Sequence, residues 1–450
     1  MSRSKLLIAG LLFACAVTPA RPQAQVETSR NITLEEAVQL ALKHNHTVRI
    51  AQLGIEEKQH ATEVAKSRYF PTVRNESSMF HLTDTQFIQI APGSLGTVNG
   101  MSIPTQSETI NQGSRTIVTS GTMLEQPLTQ LFTRVRPSND AALADLNATR
   151  ANEKETENEV ALKVHELYYR VLVSELHRSA TEAAIKATQD LESERVQQVK
   201  YGSALDEDLS ESKAAALQAK QDLLTTELQL SDLTTQLDDV LGLALTTKLE
   251  LDPVVPGVQD ACRREECIKV ALESHPEIVA AREEVRKASA AVQLSKADYV
   301  PDVSAFARYS YQNNFPFLAR NFGTFGLQLS YDLFDGGRRR AALHESDAEL
   351  AKAKENLDRV RDEVELAVQV AYNKLQRTQQ MVSVSQELVA LRTESSRVSA
   401  QQLQSGEALA SQVDHTVAQE FDAKAKLLES QLDYIQASDE LNLAIGRRPD

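Results

Sequence analysis

Residues 35–73 read EEAVQLALKHNHTVRIAQLGIEEKQHATEVAKSRYFPTV, and residues 265–303 read EECIKVALESHPEIVAAREEVRKASAAVQLSKADYVPDV. At a constant offset of 230, ten of the thirty-nine positions are identical, among them Glu35/Glu265, Ala41/Ala271, Lys66/Lys296, Tyr69/Tyr299 and Pro71/Pro301. A second register, at offset 204, aligns Tyr168 with Tyr372, Gly202 with Gly406, and Leu241-Gly242 with Ile445-Gly446. The offset falls because the stretch between Val73 and Gln126 outlasts its counterpart between Val303 and Tyr331. A unit of some two hundred residues is far longer than a solenoid period. The chain therefore reads as two copies of one whole module, a first repeat over 32–242 and a second over 265–450, joined by an equatorial linker over 243–264. Function is expected in what the two copies build together.

No Gly or Pro interrupts residues 138–201, 203–241, 338–405 or 407–445. Such runs predict four long helices that turn only at Gly202 and Gly406. The sixty-eight residues of 338–405 would form a rod of about 100 Å at 1.5 Å per residue. That is several times an ordinary globular helix. Val364, Val368, Ala371, Leu375, Thr378, Val382, Ser385 and Val389 alternate steps of four and three, a coiled-coil seam thinned by small residues. A solvated rod fits the same periodicity. Residues 34–68 and 205–241 predict half-length helices of about 55 Å, so two stacked end to end match one long helix and a tube could be walled by such pairs.

Pro71 and Pro301 end the half-helices, since proline lacks the amide donor and clashes with the preceding turn. Beyond Pro301 the period changes to two. Val303, Ala305, Ala307, Tyr309 and Tyr311 share one face, with Phe306 an exception on the other. Phe325, Leu327, Leu329, Tyr331 and Leu333 repeat the pattern on the way back. Alternation over about ten residues with tyrosines near the ends suits a membrane barrel strand, and suits a soluble hairpin lying on a core as well. In the first repeat, 72–87 and 114–128 alternate poorly and are taken as strands because of the duplication. Residues 88–113, rich in Gly and Pro, are expected to be a mobile loop. Four strands cannot close a membrane barrel, which needs at least about eight, and open edges are not tolerated in lipid. A ring-shaped oligomer is expected.

The N-terminus carries Arg3 and Lys5 before an apolar run of about a dozen residues, too short to span a bilayer. It reads as a secretory signal peptide over about residues 1–20, with Ala20 and Ala24 as cleavage points. Leu12-Phe13-Ala14-Cys15 resembles a lipobox, which makes lipidation of Cys15 the alternative. Cys262 and Cys267, five apart in an oxidising compartment, form either a local disulfide or two free thiols at a helix start. The formal charge is −15, and loss of Arg3 and Lys5 makes it −17. An acidic chain without Trp argues against nucleic acid as a partner. The nine histidines are scattered without ligand spacing, so no metal site is expected. No cofactor motif is present, since Gly336-Gly337 lacks the further Gly or Lys of a phosphate loop. Without a nucleophile elbow either, an enzyme is not expected.

The whole mature chain resembles the TolC-like outer-membrane efflux protein family. The resemblance lies in Leu34-Glu35-Glu36-Ala37-Val38-Gln39-Leu40-Ala41-Leu42, in Ala297-Asp298-Tyr299-Val300-Pro301, in Leu333-Phe334-Asp335-Gly336-Gly337-Arg338-Arg339, and in the tip glycines. It implies a mainly α fold with a small membrane β-barrel: a homotrimer, four strands per chain, above a long α-helical coiled-coil barrel. It implies further a passive exit duct in the outer membrane of a Gram-negative-type bacterium, reaching into the periplasm. A periplasmic adaptor would dock on the tips, Tyr201-Gly202-Ser203-Ala204-Leu205 and Ser405-Gly406-Glu407-Ala408-Leu409. An inner-membrane transporter of RND or ABC type would supply cargo. Family members carry acidic residues just after the second tip glycine to narrow the entrance. Here those slots hold Gln412 and His415, beside Asp414, while Asp206, Glu207, Asp208 and Glu211 follow Gly202. The strand-to-helix junctions fall at Pro71, Pro301 and Gly336-Gly337, and the first repeat has Ser138-Asn139-Asp140 where a Gly-containing turn is expected. With Asp450 directly after the last helix, the C-terminal contribution to a mid-tunnel collar is expected to be minimal. Two rival readings are a periplasmic adaptor, which would need a contiguous soluble β-domain, and a structural coiled-coil surface protein, which would need neither the strand pairs nor the duplication.

Overall fold

The structure is a computed structural model that describes residues 30–85, 87–111, 113–245, 247–252, 262–313, 319–408 and 410–449. The expected leader with Cys15, the centre of the linker and Leu409 lie outside the described residues, as does the side chain of Asp414. The chain opens with β1 (Arg30–Ile32), α1 (Leu34–His44) and α2 (His46–Ser67), followed by strand β2 (Thr72–His81). Four short strands come next: β3 (Phe87–Ile90), β4 (Thr97–Val98), β5 (Met101–Ser102) and β6 (Glu108–Asn111). Strand β7 (Thr116–Pro127) runs through the one-turn α3 (Leu128–Gln130) and a π-helical turn (Leu131–Val135) into α4 (Arg136–Lys200). Then come α5 (Asp206–Leu241), β8 (Leu249–Leu251), α6 (Arg264–Ser274), α7 (Pro276–Ala297), β9 (Asp302–Asn313), β10 (Asn321–Ser330), α8 (Arg338–Ser405) and α9 (Ala410–Ala444). The expected 338–405 helix is present as one element of 68 residues.

The half-helices are the main correction. Each was expected as one rod, yet the first breaks at Asn45 and the second at His275, positions that align at offset 230. Both break residues cap the helix that follows. Asn45 Oδ1 accepts the Thr47 amide at 2.8 Å, and His275 Nδ1 accepts that of Glu277 at 3.3 Å. Pro276 at the start of α7 was a readable signal, because it cannot continue α6. The breaks receive the ends of other helices. Gly242, after α5, packs so closely on His44 that a Cβ there would lie 2.8 Å from His44 Cβ. Gly446, after α9, would meet His275 Cα and Pro276 Cδ at 2.9 Å. The end-to-end stacking therefore exists, as α5 on the α1–α2 break and α9 on the α6–α7 break.

Two apolar cores follow from this arrangement. One joins α1, α4 and α5 with Leu432 and Ile435 of α9, centred on Val164, Leu167, Tyr168 and Leu237. The other joins Cys267, Ala271 and Ile278 to the α8 seam and to Ala437, Leu441 and Ile445. Val364, Val368, Ala371, Leu375 and Thr378 of that seam are buried as the heptad requires. Cys262 and Cys267 are disulfide-bonded, with Cα atoms 5.7 Å apart, and hold the start of α6. A short parallel pair that the sequence did not suggest, β1 with β8, ties the linker to the N-terminal segment.

The four main strands form one antiparallel sheet in the order β10-β9-β7-β2. Register places Phe325, Leu327 and Leu329 of β10 opposite Ala307, Ala305 and Val303 of β9, one apolar face. The exception in the pattern has a cause: Phe306 lies opposite Gly326, and its ring would be 3.4 Å from a Cβ there, so it covers the bare glycine. In β2 and β7 the same face carries Asn75, Ser77, Ser120 and Thr122. These polar groups satisfy one another. Asn75 Nδ2 donates to Thr122 Oγ1 at 2.8 Å, Ser77 Oγ donates to Asn75 Oδ1 at 2.8 Å, and the Ser77 and Ser120 hydroxyls lie 2.8 Å apart. Such cross-strand pairs stabilise a sheet without apolar alternation, so the poor pattern in the first repeat hid real strands. The expected loop at 88–113 is a second correction. It contains two short antiparallel ribbons, β3 with β6 and β4 with β5, turned by glycines of positive φ at Gly96 and Gly100. The junction after β7 needs no glycine, because the chain winds straight from strand into helix and Pro137 is accepted in the first turn of α4.

Candidate channel surfaces

At the level of the helix breaks, polar groups are built into the apolar cores. His165 Nδ1 of α4 lies 2.8 Å from Asp439 Oδ2 of α9, and both side chains are almost fully buried. A charge-assisted bond in so dry a place fixes the register of the two helices. The Tyr168 hydroxyl lies 2.8 Å from the Asp252 carbonyl and 3.1 Å from that of Ile32, pinning β1 and the linker to α4. Burial raises the Tyr168 hydroxyl to about 12. On the α4 face toward α7, burial and then the charges of Glu277 and Glu159 raise Glu155 to about 7. Burial likewise raises Asp238 to about 6. Higher up, Asp145 of α4 takes Lys287 of α7 at 2.6 Å and Lys58 of α2 at 3.1 Å, linking three helices.

Below the breaks, α4 packs on α5 and α9, and α9 packs on α8; above them, α4 packs on α2 and α7, and α7 on α8. One flank of the protomer is therefore β2, α2 and α5, and the other is β10 and α8. Both flanks are apolar. Leu217, Leu224 and Leu228 of α5 are exposed, with Ile50 and Val64 of α2. On α8, Val384, Leu388, Leu391 and Val398 are exposed at steps of four, three and seven, a second heptad stripe beside the buried one. Among the described residues the outer strands β2 and β10 have no partner on their free sides. Sequence reading singled out one seam on α8 and missed the second, although its spacing was in view.

The tips are two matched turns. Gly202 has φ of 69° and Gly406 of 79°, the left-handed region where glycine is free of strain. In both turns the amide of the residue after the glycine donates to the carbonyl five residues back, Ser203 to Gln198 and Glu407 to Gln402, each at 2.8 Å. That is the helix-ending pattern in which glycine takes the left-handed position. Tyr201 and Leu205 are exposed, and Ser203 and Ser405 hydroxyls donate to the Gln198 and Gln402 carbonyls. Asp206, Glu207 and Asp208 fill the first turn of α5, where Asp208 Oδ2 accepts the Leu205 amide at 2.9 Å. Glu211 is exposed one turn on. In the second hairpin Gln412 and His415 are exposed, and His415 Nε2 lies 2.9 Å from Gln419 Nε2, whose amide oxygen accepts from Arg392 of α8 at 2.6 Å.

At the foot of the sheet, Arg134 pairs with Asp298 at 3.1 Å and Asp302 at 3.6 Å, joining the start of α4 to the turn before β9. Tyr69-Phe70-Pro71 and Tyr299-Val300-Pro301 lead from the half-helices into β2 and β9; the helices stop at Ser67 and Ala297, four residues before the prolines. Gly336 and Gly337 both have positive φ, which delivers β10 into α8.

Residues 267–447 match the family described as Outer membrane efflux protein. Over this stretch, the second repeat, the chain is similar to that family. The resemblance to TolC-like proteins thus holds, and the family's setting is the outer membrane and its business efflux. The fold is shared along nearly the whole length of the chain with solved channels of low sequence identity. The CmeC outer membrane channel of Campylobacter jejuni is 12% identical with a TM-score of 0.75, covering 98% of this chain and 94% of that one. The outer membrane protein VceC of Vibrio cholerae is 15% identical with a TM-score of 0.73, covering 93% and 97%. The MtrE outer membrane channel of Neisseria gonorrhoeae, solved in an open state, is 16% identical with a TM-score of 0.72, covering 93% and 89%. No curated protein matches the sequence. The matched family and these structures are channels and not enzymes.

Proposed function

We propose that three copies of this chain form a passive exit duct through the outer membrane, completed below by a periplasmic adaptor and an inner-membrane transporter of RND or ABC type. The observation that carries the reading is the pair of incomplete flanks. Among the described residues no helix is long and apolar enough to cross a membrane; the four-stranded sheet, with Phe325, Leu327 and Leu329 exposed on one face, is the membrane element in this reading. In lipid, each unpaired backbone group along β2 and β10 would cost several kcal/mol. Joining β2 of one copy to β10 of the next removes both edges, and three copies of four strands close one barrel of twelve. The face with Phe325, Leu327 and Leu329, on which Asn75, Ser77, Ser120 and Thr122 satisfy one another, meets lipid, and the face with Arg74, Glu76, Glu125, Arg308 and Gln328 lines water.

The same operation lays α5 of one copy on α8 of the next. The seven exposed leucines and valines of that seam, at up to about 1.5–3 kcal/mol each when buried, are of the size needed to offset an association cost of about 4–15 kcal/mol. A heterologous contact that closes on itself makes a ring rather than a fibre. The tips Tyr201-Gly202-Ser203-Ala204-Leu205 and Ser405-Gly406-Glu407-Ala408-Leu409 then point together into the periplasm, where an adaptor docks on them. The test combines two readouts. The wild-type protein should run as a heat-sensitive oligomer from the outer-membrane fraction and support efflux. Gly202→Trp and Gly406→Trp, where no atom lies within 4 Å of an added Cβ, should keep the oligomer in that fraction and lose efflux. A monomer in the periplasm contradicts the duct, and efflux that survives both substitutions places docking elsewhere.

A further inference from the structure

The turn from β10 to α8 is clamped from inside and apolar outside. The Asp335 carboxylate accepts the Gly337 amide at 3.0 Å, the Arg339 amide at 3.1 Å and Arg339 Nε at 2.7 Å. Arg339 also donates to the carbonyls of Asp332 and Asp298, and its guanidinium lies 4.9 Å from the Tyr331 ring centroid and 5.7 Å from that of Tyr299. A planar fork with this many acceptors is locked in place. The two residues that this lock holds outward are Leu333 and Phe334, 92% and 89% exposed. Ordered turns of a protein in water seldom present adjacent large apolar side chains so fully.

Two further observations say what covers them. Leu333 continues in sequence the alternation of Phe325, Leu327, Leu329 and Tyr331, three residues past the end of β10 at Ser330, so the apolar residues of the strand run on into the exposed turn. The charge is also local and positive: in a chain of net −15, Arg338 and Arg340 stand exposed on either side of buried Arg339. Asp335 is already engaged by Arg339, Asp332 lies 3.7 Å from Arg338, and the N-terminus of a 68-residue helix adds its partial positive charge. An apolar pair beneath a belt of tyrosines, flanked by arginines, is the composition that settles at a lipid interface.

We propose that this turn is an anchor in the inner leaflet, with Leu333 and Phe334 among the acyl chains and Arg338 and Arg340 on the phosphates of anionic phospholipids. Arginine suits that task because its donors match phosphate oxygens two at a time. The inference rests on the membrane reading of the sheet given above, and the test separates the two.

The chain has no Trp, so Phe334→Trp and, as a reference on the strand, Leu327→Trp each place a single fluorophore in the full-length protein. Both are reconstituted in vesicles of phosphatidylcholine, or of an equal mixture with phosphatidylglycerol, whose acyl chains are brominated near the headgroup or near their end. The anchor predicts that both variants lose most of their emission to bromine, with Phe334→Trp quenched more by the shallow label and spared by aqueous iodide. Leu327→Trp quenched by bromine with Phe334→Trp quenched only by iodide puts the turn in water and overturns the anchor. Phe334→Trp quenched by neither puts it under another copy and overturns the anchor as well. If neither variant is quenched by bromine, the sheet is not in lipid and the membrane reading falls first. In the Phe334→Trp protein, phosphatidylglycerol should shift the emission to the blue, and adding Arg338→Gln with Arg340→Gln should abolish that shift. A shift that persists removes the headgroup role.

Discussion

Four glycines at matched positions do two different jobs, and the difference can be measured. Gly202, Gly242, Gly406 and Gly446 all have φ between 69° and 80°, so an Ala at any of them costs about 1–2 kcal/mol of left-handed strain. At Gly202 and Gly406 nothing lies within 4 Å of the added Cβ, so strain is the whole cost. At Gly242 the new carbon would lie 2.8 Å from His44 Cβ, and at Gly446 2.9 Å from the backbone of His275. Overpacking adds about 1–3 kcal/mol there. Gly242→Ala and Gly446→Ala should therefore lower the thermal midpoint of the detergent-extracted protein clearly more than Gly202→Ala and Gly406→Ala. Equal effects at all four would mean that the helix ends are not wedged into the breaks. The alignment made all four visible as helix ends in the sequence. What it could not show was the wedge, because contact between Gly242 and His44 is made across 198 residues by tertiary packing (242 − 44).

At the scale of elements, the long helices were legible because absence of Gly and Pro over sixty residues leaves little else. The two strands of the first repeat were legible only through the duplication, because Asn75, Ser77, Ser120 and Thr122 bond to one another where apolar residues would otherwise alternate. The tips lie between these cases. Their glycines were readable, but whether Asp206, Glu207, Asp208 and Glu211 serve the helix or the entrance was not. The structure gives Asp208 a capping bond to the Leu205 amide, a contact whose loss costs a helix about 0.5–2 kcal/mol. Glu211 lies beyond the first turn, so Glu211→Ala spares the cap and isolates the other role. We propose that in the trimer the Glu211 carboxylates, with Asp206 and Glu207, ring the closed entrance and concentrate cations there. A single pore in a bilayer should be blocked by multivalent cations added from the periplasmic side, and Glu211→Ala should weaken that block. Currents indifferent to the cation, or block unchanged by the substitution, would leave these acids as partners of the helix dipole alone.

For the whole molecule, the proposed ring accounts for both apolar flanks: the β2, α2 and α5 flank of one copy would meet the β10 and α8 flank of the next. The register of that contact follows from helix lengths. Leu228 lies 22 residues from the tip end of α5 at Asp206, and Val384 lies 21 from the tip end of α8 at Ser405. At 1.5 Å per residue both sit about 32 Å above the tips. By the same count Leu224 and Leu388, at 18 and 17 residues, would face each other one turn lower. The resemblance to the efflux family was readable from motifs, whereas this pairing needed both the burial of one α8 stripe and the exposure of the other. The most direct measurement is oxidative cross-linking of the Leu228→Cys/Val384→Cys protein in the native membrane, with each single variant as control. A closed three-fold ring predicts covalent dimer and trimer bands, ending at trimer, from the double variant only. Chains that stay monomeric on oxidation, or a ladder that climbs past trimer, would contradict the ring.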